Sequence, residues 1–161
     1  MDAIATTVRQ LSSRKLVGRT AIVTGSTSGI GLGIARALAQ AGANIVLNGL
    51  DKIGAEATRR ALADKYGVDV HFDEADLTNG GAAAAMVGRA ERDFGAVDIL
   101  VNNAGIQFVS PIEDFPAERW DAILSLNLSA VFHASKAAFR SMKQRRFGRI
   151  INIASAHGLV A

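Results

Sequence analysis

From residue 19 onward the chain alternates between short, nearly continuous apolar runs and longer stretches whose apolar side chains return every three or four positions. The runs Thr20 to Thr24, Asn44 to Asn48, Val68 to Phe72, Val97 to Val101 and Arg149 to Ala154 are rich in Val and Ile and show no wet face. They predict strands buried on both sides. The segments 29–41, 52–66, 80–94 and 117–144 predict helices. Gly42, Gly67 and Gly95 stand just past the first three, where a chain leaving a helix turns left-handed most easily. This rhythm predicts right-handed parallel crossovers and therefore an α/β fold, a doubly wound parallel sheet of five strands in the order 3-2-1-4-5 with helices on both faces. Pro111 and Pro116 bracket a loop before the last helix, where Trp120, Ile123 and Leu124 give an apolar face. At 161 residues one domain is expected, burying roughly 70% of its unfolded surface.

The turn after the first run is the most specific local signal. Thr24-Gly25-Ser26-Thr27-Ser28-Gly29-Ile30-Gly31 leaves the apolar Ala21-Ile22-Val23 and enters a periodic segment beginning Ile30, Leu32, Ile34. Glycines in such a strand-turn-helix let a pyrophosphate approach main-chain N–H groups, and the positive end of the helix attracts the anion. The spacing is glycine, three residues, glycine, one residue, glycine, and not GxGxxG. An ordinary tight turn could carry the same glycines, so the strand before and the helix after are what point to a dinucleotide in a Rossmann-like domain.

Composition removes other classes. With 49% hydrophobic and 20% charged residues the chain reads as globular. The net charge is only +3, and the basic cluster Lys143, Arg145, Arg146, Arg149 contains one aromatic, Phe147, so it reads as a solvated connection and no nucleic-acid partner is expected. Without cysteine there is neither a disulfide framework nor a thiolate metal site, and His71, His133 and His157 lack ligand spacing. No metal site is predicted. No apolar run reaches the roughly 18 residues that span a bilayer. The leader lacks the apolar centre of a secretory signal, and Asp2 and its shortness argue against a transit peptide despite Arg9, Arg14 and Lys15. The expectation is a flexible tail at 1–15, a partial nucleotide-binding domain at 16–161, and a soluble cytoplasmic protein with no membrane partner.

In a doubly wound sheet, ligands bind beyond the carboxyl ends of the strands. There stand the glycine turn, then Asn48 to Asp51, Asp76-Leu77, Asn102 to Gln107, and Ser155 with His157. Asp51 lies about twenty residues beyond the glycine turn, where a carboxylate can hold a ribose hydroxyl and repel a 2′-phosphate, or equally cap the following helix.

In order along the chain, Thr24-Gly25-xxx-Gly29-Ile30-Gly31, Asp76-Leu77, Asn102-Asn103-Ala104-Gly105, Asn127 and Ser155 match the motifs of the short-chain dehydrogenase/reductase family, and the chain resembles that family from about residue 16 to its last residue. More narrowly, the segments 102–107, 112–116, 120–123 and 150–161 resemble bacterial D-3-hydroxybutyrate dehydrogenases. The resemblance implies a homo-oligomer, tetrameric in the family, that oxidises the ketone body D-3-hydroxybutyrate to acetoacetate with NAD. It implies that Gly25, Thr27, Gly29, Ile30 and Gly31 hold the pyrophosphate side of the coenzyme. Leu50 would lie against the adenosine, Asp76 and Leu77 would frame the adenine, and Asn103, Ala104 and Gly105 would line the path to the nicotinamide ribose. Ser155 would hydrogen-bond the reacting oxygen, Asn127 would support the catalytic lysine through water, and Gln107 and His157 would bind the substrate carboxylate.

One departure is consequential. The family removes the hydroxyl proton with the Tyr of a Tyr-xxx-Lys motif, whereas the one tyrosine here is Tyr66, without a lysine four residues on. The sequence therefore reads as a C-terminally truncated member, inactive alone, with Ile150, Ile151 and Ile153 on an uncovered sheet edge that invites pairing. A non-catalytic nucleotide-binding fragment and a dehydrogenase of another secondary alcohol are the alternatives. A serine hydrolase built on Ser155 and His157 is disfavoured, because the surrounding residues do not form a GxSxG elbow.

Overall fold

The computed structural model describes residues 14–155. Five parallel strands form one sheet in the order β3-β2-β1-β4-β5: β1 (Thr20–Val23), β2 (Asn44–Asn48), β3 (Val70–Asp73), β4 (Ile99–Asn102) and β5 (Arg149–Asn152). This is the order expected of a Rossmann-like doubly wound sheet. The helices are α1 (Gly29–Gln40), α2 (Lys52–Tyr66), α3 (Gly80–Phe94), α4 (Ala117–Leu124) and α5 (Ala130–Arg145), with a short 3₁₀ turn at Ile112–Asp114. Val23 pairs with Leu47 and Val101, and Asn102 with Asn152, so every strand exits along the same edge of the sheet. The expected tail, 1–15, falls outside the described residues except for Arg14 and Lys15.

Side chains alternate along β1, yet both faces are covered, which is why the strand reads as one apolar run. Ala21 and Val23 pack with Ile45, Leu47, Ala35, Ala39 and Leu62 beneath α1 and α2. Ile22 faces the other way, with Leu100, Met86, Val87 and the alanines of α3 and α5. Ala130, Ala134 and Ala138 recur every fourth residue of α5 and are all buried, a spacing that lays one row of small side chains along the contact. Asp51 and Asn79 cap α2 and α3 with their side chains, and Gly67 and Gly95 end those helices in the left-handed region, as their positions led one to expect.

The segment predicted as a single long helix is one rod with a wide π turn, Ser125–Ser129, between α4 and α5. By length and composition alone it reaches a mean hydropathy of 1.2 over an 18-residue window of Ala117–Arg145, although charged residues interrupt it and no continuous apolar run of that length occurs. In the fold, the α5 part of this rod is a covering layer on the sheet.

Two strands depart from burial on both sides. β3 is half-covered as an outer strand, and β5 is open: Ile151 and Ile153 are 45% and 42% exposed. Each edge strand has a neighbour on one side only, and nothing in the described residues lies beyond β5.

At the opposite end of the sheet from the strand exits, Asp98 is buried and its carboxylate accepts from Arg19 Nη1 (3.1 Å), Arg145 Nη1 (2.9 Å) and the Thr20 amide (3.1 Å). Arg145 also donates to Val97 O at 2.6 Å, and the Arg19 guanidinium stacks on Phe147 at 3.8 Å. The basic cluster predicted as a solvated connection thus contributes Arg145 to an ion-pair network around the buried Asp98. Arg146 ends α5 with φ +56°, a left-handed position that glycine usually takes.

Candidate functional site

The exits of β1 and β4 are tied together by a hydroxyl. Thr24 Oγ1 donates to Val101 O (3.3 Å) and accepts from the amides of Asn103 and Ala104, both at 2.9 Å, which uses its full capacity of one donor and two acceptors. Asn103 Nδ2 returns two bonds, to Thr24 O (2.9 Å) and Gly25 O (3.2 Å). This lattice presses two loops together so tightly that only glycine fits. Gly25 has φ +60°, and a Cβ there would lie 2.9 Å from Ala104 Cα. A Cβ on Gly31 would lie 2.3 Å from Gly25 O and 2.5 Å from Asn103 Nδ2, so this glycine lets α1 start directly against the turn.

The exit of β2 is tied in by Asn48, which is buried. Its Oδ1 accepts from the Gly25 amide (3.3 Å), while Nδ2 donates to Asp73 O (3.1 Å) and Ala75 O (3.0 Å). Ser26 completes the seam: its amide donates to Asn48 O, its hydroxyl accepts from the Asn48 amide and donates to Val23 O at 2.6 Å. Sequence reasoning placed Thr24 and Asn48 at strand ends without seeing these roles. The signal was an Asn closing a Val/Ile strand, a position where an unpartnered amide would be expensive.

Between these seams opens a cavity of about 480 Å³. Gly25, Thr27 and Leu50 line it from the exits of β1 and β2, Asp76 and Leu77 from that of β3, and Asn103, Ala104 and Gly105 from that of β4. Asp76 is the one charged residue in this wall, and its Oδ1 accepts from the amide and hydroxyl of Thr78 at 3.0 and 2.8 Å. Gly29 and Ile30 are exposed at the start of α1 and Gly31 is buried, all three outside the cavity wall. Their amides precede the first intrahelical bond, Leu32 N to Ser28 O, and α1 has no side-chain cap, unlike α2 and α3. The Gly25 amide is already given to Asn48, so the open donors are those that begin α1. Asp51 sits outside the wall and caps α2 through Gly54 N at 3.1 Å.

The residues predicted for catalysis and substrate lie farther along the exit edge. Asn127 occupies the π turn, a widening that often marks functional positions. Its Oδ1 accepts from Ile106 N (3.0 Å) and its Nδ2 donates to Ile106 O (2.8 Å), which pins the loop beyond Gly105. Gln107 is exposed in that loop and Ser155 is exposed beyond β5, neither of them in the cavity wall. His157 lies outside the described residues. Among the described residues no group of three or more His, Asp or Glu is arranged to hold a metal.

The uncapped helix start, the close glycine seam and the cavity beside them fit a dinucleotide: amides for its phosphates and Leu50 and Leu77 for an aromatic base. The comparisons with known proteins point the same way. Residues 19–161 match the family model described as short chain dehydrogenase. The chain is 55% identical to the D-beta-hydroxybutyrate dehydrogenase of Cupriavidus necator, covering 91% of this chain and 56% of that protein. It is 54% identical to the enzyme of the same name from Rhizobium meliloti, covering 89% and 56%. It thus spans about half the length of the curated relatives it matches. Among solved structures it resembles a metagenomic short-chain oxidoreductase in complex with NADP, with 35% identity, TM-score 0.83 and coverage of 87% and 63%. It also resembles an NAD⁺-bound xylitol dehydrogenase, with 33% identity, TM-score 0.83 and coverage of 91% and 56%. With its parallel sheet in the order 3-2-1-4-5 and its glycine turn at the crevice, the chain belongs to the short-chain dehydrogenase family.

Proposed function

We propose that this chain is the coenzyme-binding portion of an NAD-dependent D-3-hydroxybutyrate dehydrogenase. The observation that carries the proposal is the cavity at the strand exits, flanked by the uncapped start of α1, in a chain 55% identical to an enzyme of that name. Gly29, Ile30 and Gly31 hold the pyrophosphate through their amides, with Gly25 and Thr27 shaping the turn. Leu50, Asp76 and Leu77 take the adenosine, and Asn103, Ala104 and Gly105 flank the nicotinamide ribose. When bound, the coenzyme supplies the hydride acceptor for a secondary alcohol.

NAD is preferred over NADP because the wall offers a 2′-phosphate no cation. The nearest lysine past β2, Lys52, is paired with Glu74 at 3.0 Å. Ser155 hydrogen-bonds the reacting oxygen, and Gln107 and His157 orient the carboxylate of the hydroxy acid. Asn127 sets the loop between coenzyme and substrate, and by resemblance supports the catalytic lysine through water. The hydroxyl proton needs a base at near-neutral pH, which the 161 residues do not supply as a Tyr-xxx-Lys. That pair belongs to the remainder of the full-length enzyme, a cytoplasmic homo-oligomer for which the exposed Trp120, Leu128, Phe132 and Phe139 offer an apolar surface.

The test is to append the remaining part of the Cupriavidus necator relative and follow NADH formation from D-3-hydroxybutyrate. The chimera should turn over, the 161-residue chain should not, and Gln107→Ala in the chimera should raise KM more than it lowers kcat. A chimera that folds and binds NAD but ignores D-3-hydroxybutyrate would leave the substrate reading wrong. Turnover by the chain alone would overturn the role given to the Tyr-xxx-Lys.

A further inference from the structure

We infer that Arg89, on α3 and outside the wall of the nucleotide cavity, is a positioning residue for the adenosine side of the site and acts through Asp73 and Asn48. The inference rests on the nucleotide reading above and adds to it a control point on the far side of the β3 exit.

The connection is a continuous run of hydrogen bonds. Arg89 grips the Asp73 carboxylate with two, Nε to Oδ2 at 2.7 Å and Nη2 to Oδ1 at 2.9 Å, the planar fork-to-fork pairing that fixes orientation as well as distance. Asp73 Oδ1 also accepts from the Ala75 amide at 3.0 Å, so the orientation of the carboxylate sets the turn that leaves β3. The carbonyls of Asp73 and Ala75 both accept from Asn48 Nδ2, and Asn48 Oδ1 accepts from Gly25 N. A bond path thus runs from the guanidinium to the glycine turn, and Asp76 and Leu77, predicted to frame the adenine, follow Ala75 directly.

The charges are suited to this task. The Asp73 side chain is 10% exposed, and its hydrogen bonds hold the Arg89 guanidinium above its ordinary pKa. Arg89 is 42% exposed and faces a second cavity, of about 510 Å³, on the outer side of β3. Its neighbour Ala90 is buried in the core, which anchors α3 independently of the ion pair. Loss of the fork would leave α3 in place and free the Asp73 carboxylate to rotate. The Ala75 amide would lose its acceptor and the β3 exit its fixed shape.

The experiment measures ADP-ribose affinity and the unfolding midpoint on the 161-residue chain and five variants. Arg89→Met and Asp73→Asn should each weaken ADP-ribose binding by about fivefold to tenfold, in the range found for residues coupled to a site through packed networks. The double variant should bind no worse than either single one, because both break the same link. Arg89→Lys, which keeps the charge without the fork, should recover only part of the loss. Ala90→Gly, one residue away, should lower the unfolding midpoint while leaving affinity intact. Wild-type affinity in Arg89→Met, additive losses in the double variant, or an equal affinity loss in Ala90→Gly would each overturn the inference. A wild-type chain that folds but takes no ADP-ribose would instead overturn the nucleotide reading itself.

Discussion

The two ends of the strand-exit crevice are built to different standards. At the exits of β1, β2 and β4, Thr24, Ser26, Asn48 and Asn102 are buried polar residues with hydrogen-bond partners, and the loops they hold are close enough to require glycine. At the exit of β5, Ile151, Asn152 and Ile153 are exposed, and so are Gln107 and Ser155, the residues assigned to substrate chemistry. A fold of this type needs about the first four strands to complete the seat of a dinucleotide, because that seat lies at the reversal of strand order between β1 and β4. The reaction side proposed above would need a surface beyond β5. On the proposed function, the difference separates coenzyme binding from catalysis along the chain.

Replacing Asn48 tests the finished end most severely. Asn48→Leu leaves the Gly25 amide without its acceptor and two carbonyls without their donor, and should destabilise the chain by about 3 kcal/mol in a denaturant titration while abolishing nucleotide binding. A loss well under about 1 kcal/mol would mean the seam does not hold the turn. Asp98→Ala strikes the opposite end of the sheet. It should lower stability by about 2 kcal/mol, discounted because Arg19 and Arg145 are 41% and 31% exposed, and leave ADP-ribose affinity unchanged. A matching affinity loss would show that the crevice is not insulated from the far end.

Smaller effects are expected at the open end. Ile151→Lys should change stability by less than about 0.5 kcal/mol and reduce self-association seen by light scattering, since an edge charge blocks strand pairing. Faster aggregation of this variant would contradict an open edge. The smallest effect concerns acid. Hydrogen bonds from Arg59 and then Arg60 lower the Glu56 carboxyl from 4.5 to about 2. Its contribution to stability is therefore complete above about pH 4.5 and is lost as the pH falls toward 2. Glu56→Gln should flatten the stability profile in that window only, and an unchanged profile there would show that the pairing adds nothing in solution.

The strands, the glycine turn and the cap at Asp51 were legible because each rests on local pattern: continuous Val/Ile runs, a turn that only glycine tolerates, and an acidic residue opening a helix. The candidate site residues came from the family resemblance. What stayed hidden depends on partners far apart in the chain. Asp98 meets Thr20 across 78 positions and Arg145 across 47, so no window of sequence could mark the basic cluster as structural. β3 was expected to end at Phe72 but includes Asp73, because Asp73 pairs with Asn48 at the end of its neighbour. β5 was expected to reach Ala154 and stops at Asn152, opposite the last residue of β4. The pair of bonds from Asn127 in the π turn to Ile106 likewise spans 21 positions and has no local signature.

Isothermal titration of the folded 161-residue chain with NAD tests the central claim most directly. Saturable binding at one site, lost in Gly31→Ala because its added Cβ would meet Gly25 O and Asn103 Nδ2, is the predicted result. A chain that is folded by circular dichroism yet gives no heat with NAD or NADP would contradict the account.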